Sequence, residues 1–281
     1  MINMNTQIDQ YAVIGNPISH SKSPLIHSLF AKQTEQSLSY NAILAETEEG
    51  EFIAAVQKFR QAGGKGLNIT VPFKQIAWEL VTKRSERAEL AGAINTIWFD
   101  EQGIYNGENT DGIGLIRDLT QNHDCQILDK KILILGAGGA VRGILEPLLK
   151  ACPTQCIIAN RTISKAEQLA ELFAHLGEIK VSSYGALAGQ SYDLIINGTS
   201  TSLQGKIPPL ADGLVADNGW CYDMMYANTA TPFMQWAKNQ GATNILDGLG
   251  MLVEQAAESF YIWRKVKPDT TSVIKYVREQ L

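Results

Sequence analysis

Nowhere does this 281-residue chain reach the roughly 18 consecutive apolar residues that a membrane-spanning helix needs. It also lacks a basic run long enough to track a nucleic-acid backbone. Its 24 lysines and arginines are outnumbered by 29 aspartates and glutamates, for a formal charge of −5, and that balance argues against nucleic acid as a partner. Cysteine is scarce, with only Cys125, Cys152, Cys156 and Cys221. Cys152 and Cys156 stand close together, but no second pair or neighbouring histidine completes a zinc pattern, so no metal site is expected. The thiols read as reduced, in a cytoplasmic protein. The opening MINMNTQIDQYAVIGNP carries neither the charged nor the long apolar region of a secretory signal. Repeats, low-complexity tracts and Pro/Ser linkers are missing as well.

What is present is enough apolar material for a sizeable core. Hydrophobic residues make up 45% and charged residues 19%, and the length suits one large domain or two ordinary ones. Strand-like runs alternate with helical patterns almost throughout. YAVIG (11–15) reads as a strand, and PLIHSLFAKQT follows as a helix with Ser23 as N-cap and Pro24 at its first position. YNAILA (40–45) and GLNITV (66–71) read as strands on either side of the helix EFIAAVQKFRQAG (51–63). Pro72 closes the third strand, and Lys74 stands where it gives way to a loop. A second series starts at KKILILGAGGAVRGILEPLLK (130–150) and continues through QCIIANR (155–161). The helix SKAEQLAELFAHL comes next, its apolar positions 166, 169, 170, 173 and 176 keeping helical spacing. YDLIIN (192–197), GWCYDMMY (219–226) and TNILDG (243–248) supply further strands. Such alternation implies parallel sheets built through crossover helices. The two series meet at NTDGIGLIRDL (109–119), a turn and a helix. The fold class is therefore α/β, with two domains joined near residue 110.

The most legible motif is ILILGAGGAVRG (132–143), a buried strand running into Gly136-Ala137-Gly138-Gly139 and then directly into a helix. Glycine permits the tight turn and lets the backbone approach a pyrophosphate, while the N–H groups of the helix start face the anion. Val141 occupies the position of the third glycine in the strict dinucleotide fingerprint. Further on, where an NAD-binding chain usually offers a carboxylate to the ribose hydroxyls, stand Asn160, Arg161 and Thr162, with Lys165 one turn later. A carboxylate there would repel a 2′-phosphate, whereas arginine pairs with it through two hydrogen bonds. The cofactor expected is NADP. NGTSTS (197–202) follows the strand DLIIN, at a strand end where such sheets bind ligands.

The first domain carries a different set. SHSKS (19–23) puts Ser21 and Ser23 beside a helix start, where hydroxyls and free N–H groups can hold a carboxylate. NITVPFK supplies Asn68, Thr70 and Lys74, GAINT supplies Asn95, and GENTDG places Asp111 just before a helix. His20 and His27 have no clustered partner and read as structural. Taken in order, GNPISHSKSP, NITVPFK, GAINT, NTDG, GAGGA, NRT and GLGMLVEQAA closely resemble the shikimate dehydrogenase family over residues 11–265.

The resemblance implies reversible, NADP-dependent reduction of 3-dehydroshikimate to shikimate on the route to chorismate and the aromatic amino acids. It implies a substrate domain of residues 1–110 completed by 249–281, a Rossmann-like NADP-binding domain of residues 111–248, and a deep cleft between them. By the same resemblance Lys74 and Asp111 form the catalytic acid–base pair. Ser21 and Ser23 hold the substrate carboxylate; Asn68, Thr70, Asn95, Asp111 and Gln255 bind its hydroxyls or ring; Tyr226 lies near it. Gly136, Ala137, Gly138, Gly139 and Ala140 take the pyrophosphate, and Asn160, Arg161, Thr162 and Lys165 the adenosine phosphate. Thr199, Met224, Gly248 and Met251 approach the nicotinamide. Gly198 stands where many members have Ala, Ser202 where Gly is common, and Asn228 where Pro is frequent. The partner expected is a small molecule, with no nucleic acid and no membrane, and a homodimer is the candidate assembly. Two rivals share the fold: a quinate/shikimate dehydrogenase using NAD, disfavoured by the missing carboxylate at 160–162, and a non-catalytic NADP(H) sensor, which should have lost Lys74 or Asp111.

The arginine reading makes a direct prediction. Each charge-assisted bond to a 2′-phosphate contributes roughly 1.5–3 kcal/mol. Arg161→Ala should lower kcat/KM for NADP⁺ by about one to two powers of ten and leave that for NAD⁺ nearly unchanged. Equal losses with both cofactors would make Arg161 structural.

Overall fold

The computed structural model describes residues 8–199, 201 and 205–281. The chain forms two compact units, one of the described residues up to Thr110 together with Val253–Gln280, the other of Asp111–Leu252. Each holds a six-stranded sheet. No helix among the described residues is long and apolar enough to cross a membrane.

The first unit begins with β1 (Asp9–Gly15), α1 (Ser23–Gln33), β2 (Leu38–Leu44), α2 (Glu51–Gln61) and β3 (Gly64–Ile69). β1 lies between β2 and β3 and is parallel to both. Ala12, Ile14, Leu67 and Ile69 of these strands pack with Phe52 and Val56 of α2. Lys22, and not Ser23, is the N-cap of α1; Ser23 is the first helical residue. The hydroxyl of Ser21 accepts the Ser23 N–H at 3.3 Å, so the serine two residues upstream does the work expected of Ser23.

The wholly parallel sheet expected from the sequence stops at β3. After α3 (Lys74–Leu80), β4 (Lys83–Arg84) and α4 (Glu86–Ala91) come β5 (Thr96–Phe99) and β6 (Tyr105–Glu108). β5 runs antiparallel to both β3 and β6, giving the order β2-β1-β3-β5-β6-β4. Only residues 100–104 separate β5 from β6, too few for a crossover helix, so a hairpin is the only connection open to them. Gly103 closes it at φ +75°, donating its N–H to the Asp100 carbonyl at 2.8 Å. Lys74, expected in a loop, is instead the first residue of α3.

The second unit opens with α5 (Asp111–Arg117), which runs on as a π-helical segment over Asp118–Asn122. There follow β7 (Lys131–Leu135), α6 (Gly139–Lys150), β8 (Gln155–Ala159), α7 (Ile163–Leu172), β9 (Ile179–Ser182) and β10 (Tyr192–Asn197). β11 (Val215–Asp223), α8 (Pro232–Asn239) and β12 (Asn244–Asp247) complete the sheet. Every pairing is parallel, and the order is β12-β11-β10-β7-β8-β9. Strand order therefore reverses between β7 and β10, the place where open parallel sheets leave a crevice for ligands. Leu133, Ile157, Ile195, Phe233 and Trp236 are among the core of this unit.

The chain then enters α9 (Leu249–Arg264), whose residues from Val253 onward belong to the first unit, as does α10 (Thr271–Glu279). There α9 completes an aromatic layer. Trp263 stacks on Tyr11 at 4.7 Å and donates its indole N–H to the Ile97 carbonyl at 3.1 Å. His27 of α1 stacks almost flat on Tyr40 of β2 at 4.1 Å, with Phe30, Phe260 and Trp263 around it. Arg264 pairs with Asp9.

His27 is fully buried, and burial pushes its pKa down to about 3 from the usual 6.5. The unfolded chain therefore binds a proton that the folded one refuses. This stability is complete above pH 6.5 and erodes as pH falls from there through the folded value, by about 1.4 kcal/mol per pH unit. His27→Phe should flatten the pH dependence of unfolding free energy between about pH 6 and 4, measured by denaturant titration. Identical slopes in variant and wild type would assign the acid sensitivity to other groups.

Candidate active site

In the first unit the sequence-chosen residues lie on separate elements, and hydrogen bonds join Asn68, Asn95 and Gln255 among them. Ser21 precedes α1 and Ser23 begins it; Asn68 is near the end of β3; Thr70 and Lys74 follow; Asn95 precedes β5; Gln255 is on α9. The backbone fixes the β3–α3 connection. The Thr70 N–H donates to the Ile14 carbonyl at 3.0 Å, and the Ile94 N–H to the Lys74 carbonyl at 2.9 Å. Gly15 lies under Thr70, where a Cβ would collide with the threonine methyl.

Asn68 and Asn95 are both buried, and their amides are heavily engaged by the protein. Asn95 Oδ1 accepts the Thr110 N–H and the Thr96 hydroxyl, both at 2.9 Å. Its Nδ2 donates to Thr110 Oγ1 at 2.9 Å and to Gln255 Oε1 at 3.2 Å. Asn68 Nδ2 donates to the Asn95 carbonyl at 3.1 Å, Thr96 Oγ1 at 3.2 Å and Ser259 Oγ at 3.0 Å. The Tyr40 hydroxyl donates to Asn68 Oδ1 at 2.7 Å. Sequence reading missed Tyr40, Thr96, Thr110 and Ser259. Ser259 had a usable signal, since it lies one helical turn beyond Gln255 and shares its face.

In the second unit Asp111 is the first residue of α5, half-buried, directly after the pinned Thr110. The glycine turn stands at the strand-order reversal. Gly136 has φ +103° and donates its N–H to the Ala159 carbonyl at 2.8 Å, so glycine is required there by the backbone itself. Gly138 and Gly139 are different. Their φ values are not in the left-handed region, and a Cβ on either would meet nothing within 4 Å. The protein gives no steric reason for glycine at these two exposed positions, whereas an anion drawn against the backbone does. Gly138 caps the 12-residue α6 with no side-chain hydrogen bond, leaving the first-turn N–H groups to a ligand. Ala137 and Ala140 complete the rim.

Beyond the end of β8, Arg161, Thr162 and Lys165 are exposed, and Asn160 donates its side-chain N–H to the Thr162 carbonyl at 2.8 Å. At the ends of β10 and β11 a buried pair that sequence reading missed, Asn197 and Asp223, organises the loops. Asn197 donates to Asp223 at 3.0 Å and accepts the Thr199 hydroxyl at 2.7 Å; Asp223 accepts the Met225 N–H at 3.2 Å. Gly248 faces the Met224 backbone so closely that no side chain fits. Met251 is buried, and Tyr226 is half-buried, its pKa raised by burial and then by Asp247. Ser202 lies outside the described residues. Among the described residues, no group of three or more His, Cys, Asp or Glu could hold a metal ion. These features fit a dinucleotide with an extra phosphate: an open glycine rim for the pyrophosphate, and two cations for the adenosine end.

Comparison with known proteins gives the following. Residues 13–97 match the model of the shikimate dehydrogenase substrate binding domain, 118–205 that of shikimate / quinate 5-dehydrogenase, and 248–281 that of the shikimate 5'-dehydrogenase C-terminal domain. A shikimate dehydrogenase (NADP(+)) of Alkalilimnicola ehrlichii is 52% identical over 97% of this chain and 99% of its own. That of Nitrosococcus oceani is 50% identical over 97% and 96%. The crystal structure of an Ael1 enzyme from Pseudomonas putida is 48% identical with a TM-score of 0.90, covering 95% of this chain and 97% of its own. Shikimate 5-dehydrogenase from Thermus thermophilus, crystallised with NADP(H) and shikimate, is 28% identical with a TM-score of 0.85, covering 97% and 100%.

The two kinds of glycine can be told apart. Gly136→Ala should destabilise the fold by about 1–3 kcal/mol through backbone strain. Gly138→Ala should cost at most about 1 kcal/mol of stability, the loss of a better cap, and weaken NADP⁺ about tenfold or more, read by denaturant titration and cofactor binding. A Gly138→Ala protein that binds NADP⁺ as the wild type does would remove the pyrophosphate assignment.

Proposed function

The chain belongs to the shikimate dehydrogenase family, and from that premise we propose that it interconverts shikimate and 3-dehydroshikimate with NADP(H). The reaction is a step of chorismate and aromatic amino-acid biosynthesis. The observation that carries this reading is the presence, in one chain, of a polar network around Asn68 and Asn95 in the first unit and a phosphate-fitting glycine turn in the second, with the exposed Arg161 and Lys165 beyond the next strand.

When bound, NADP⁺ supplies the hydride acceptor, held by the glycine rim at its pyrophosphate and by Arg161 and Lys165 at its 2′-phosphate. Ser21 and Ser23 take the substrate carboxylate. Asn68, Thr70 and Gln255 meet its hydroxyls, and Asn95 holds Gln255 and Thr110 in place for this. Thr199, Met224, Gly248 and Met251 form the nicotinamide side, with Tyr226 beside the substrate. As hydride leaves the carbinol carbon, the hydroxyl proton passes to the Lys74–Asp111 pair; in the reductive direction the pair returns it to the developing alkoxide. The chain order supports Asp111 in this role, because the residue before it is pinned by both the N–H and the hydroxyl to Asn95.

We extend the reading to a cytoplasmic homodimer. Four free cysteines suit a reducing compartment. β2 is an edge strand, LSYNAIL, without a charged residue, and such an edge is a template for pairing with a second copy. The mass of the protein in solution decides the second point.

The test is spectrophotometric: shikimate with NADP⁺ or NAD⁺, following the reduced cofactor. Turnover should require shikimate and favour NADP⁺. Lys74→Ala should lower kcat by about 10²–10⁴ with a much smaller change in KM. Near-wild-type turnover in that variant would return Lys74 to the role of a surface charge.

A further inference from the structure

Asn68 is held in one orientation by a partner that cannot donate. The Asn95 backbone carbonyl, 3.1 Å from the side-chain amide, only accepts hydrogen bonds, so the atom facing it is Nδ2. Oδ1 then faces the Tyr40 hydroxyl, and Tyr40 is the donor of that 2.7 Å bond. The two Nδ2 hydrogens already have three acceptors: the Asn95 carbonyl, Thr96 and Ser259. The capacity left to Asn68 is the second lone pair of Oδ1, with the buried His27 imidazole also close to the Asn68 side chain.

Tyr40 itself has little freedom. Its ring lies on the neutral His27 at 4.1 Å and 5°, and is flanked by Trp263 at 6.3 Å. Although Tyr40 is half-exposed as a residue, its hydroxyl end is deep enough for burial to hold its pKa well above the usual phenol value, with the Ser23 hydroxyl bonding to it in opposition. One side chain thus spans from a serine at the start of α1 to the amide of β3.

We propose that Tyr40 is a positioning residue, holding Asn68 so that it meets a substrate hydroxyl only as a hydrogen-bond acceptor. The proposal rests on the reading of Asn68 as a substrate contact. It adds a selectivity that the motif alone does not carry. A hydroxyl at that ring position donates to Oδ1, whereas a carbonyl there places oxygen against oxygen and is rejected. Tyr40 acts through Asn68 and touches neither the reacting carbon nor the cofactor.

The test is a double-mutant cycle in the full chain, read with shikimate and NADP⁺. Tyr40→Phe keeps the stack and removes only the hydroxyl. It should raise KM for shikimate about three- to tenfold, with kcat within about twofold and KM for NADP⁺ unchanged. On an Asn68→Ala background the same change should add nothing. If the two losses add, or if Tyr40→Phe leaves KM for shikimate unchanged, the coupling is overturned. A loss in which NADP⁺ KM and thermal midpoint move together would make Tyr40 structural, and overturns it as well. Should Asn68→Ala not fold, Asn68→Leu, which is close to it in shape and offers Tyr40 no acceptor, takes its place. If Asn68→Ala leaves KM for shikimate unchanged while the wild type turns shikimate over, the fault lies in the underlying reading of Asn68, and the proposal falls with it.

Discussion

The buried amide of Asn95 is the constraint around which the first unit is organised. It lies before β5, takes both hydrogen-bonding groups of Thr110, and holds the side chain of Gln255 on α9. Three stretches far apart in sequence are fixed by one planar group. A buried polar group left without partners costs about 1–3 kcal/mol, so withdrawing any of the three leaves the others short. That cost holds the approach to β5, Thr110 and Gln255 of α9 in a common register. The aromatic layer beneath supplies apolar burial, and the amide network supplies the direction in which polar atoms point.

The second unit solves its problem with backbone instead. Where strand order reverses, β7 ends in a turn whose first glycine is required by its own φ, and whose next two are open to solvent. An anion there would be met by N–H groups that no side chain occupies. On the proposed assignment, selectivity falls to a few side chains at a distance, Arg161 and Lys165 beyond β8. General phosphate binding and choice between cofactors would then be carried by different parts of the chain.

Much of this was legible in the sequence where the signal is local. The strand YDLIIN was read at 192–197 and is β10 over the same residues, because a polar loop bounds it on each side. The glycine turn was readable because the strand, turn and helix follow one another directly. The hairpin of β5 and β6 lies outside the strand–helix alternation, since IWFDEQGIYN carries a turn where that pattern would place a helix. Ser23 was misplaced by one position because capping depends on backbone angles that composition does not fix. The Asn68 partners were beyond reach for another reason: Tyr40 is 28 residues away and Ser259 is 191. Periodicity shows which face of an element is buried; it carries no information on which distant polar group waits there.

The relation between Val141 and Gly198 has a consequence for how such a chain can change. Val141 fills the place of a third glycine at the start of α6, and a Cβ at position 198 would run into its methyl group. Valine is stiff about its first torsion and cannot swing aside cheaply. Glycine at 198 is therefore the complement of the bulk at 141. Descent between the two arrangements has a permitted direction. A lineage with both residues small can acquire the larger one at either place, but having done so at 141 it has closed 198 until 141 shrinks again. Alanine at 198 is thus harmless or damaging according to what stands at 141.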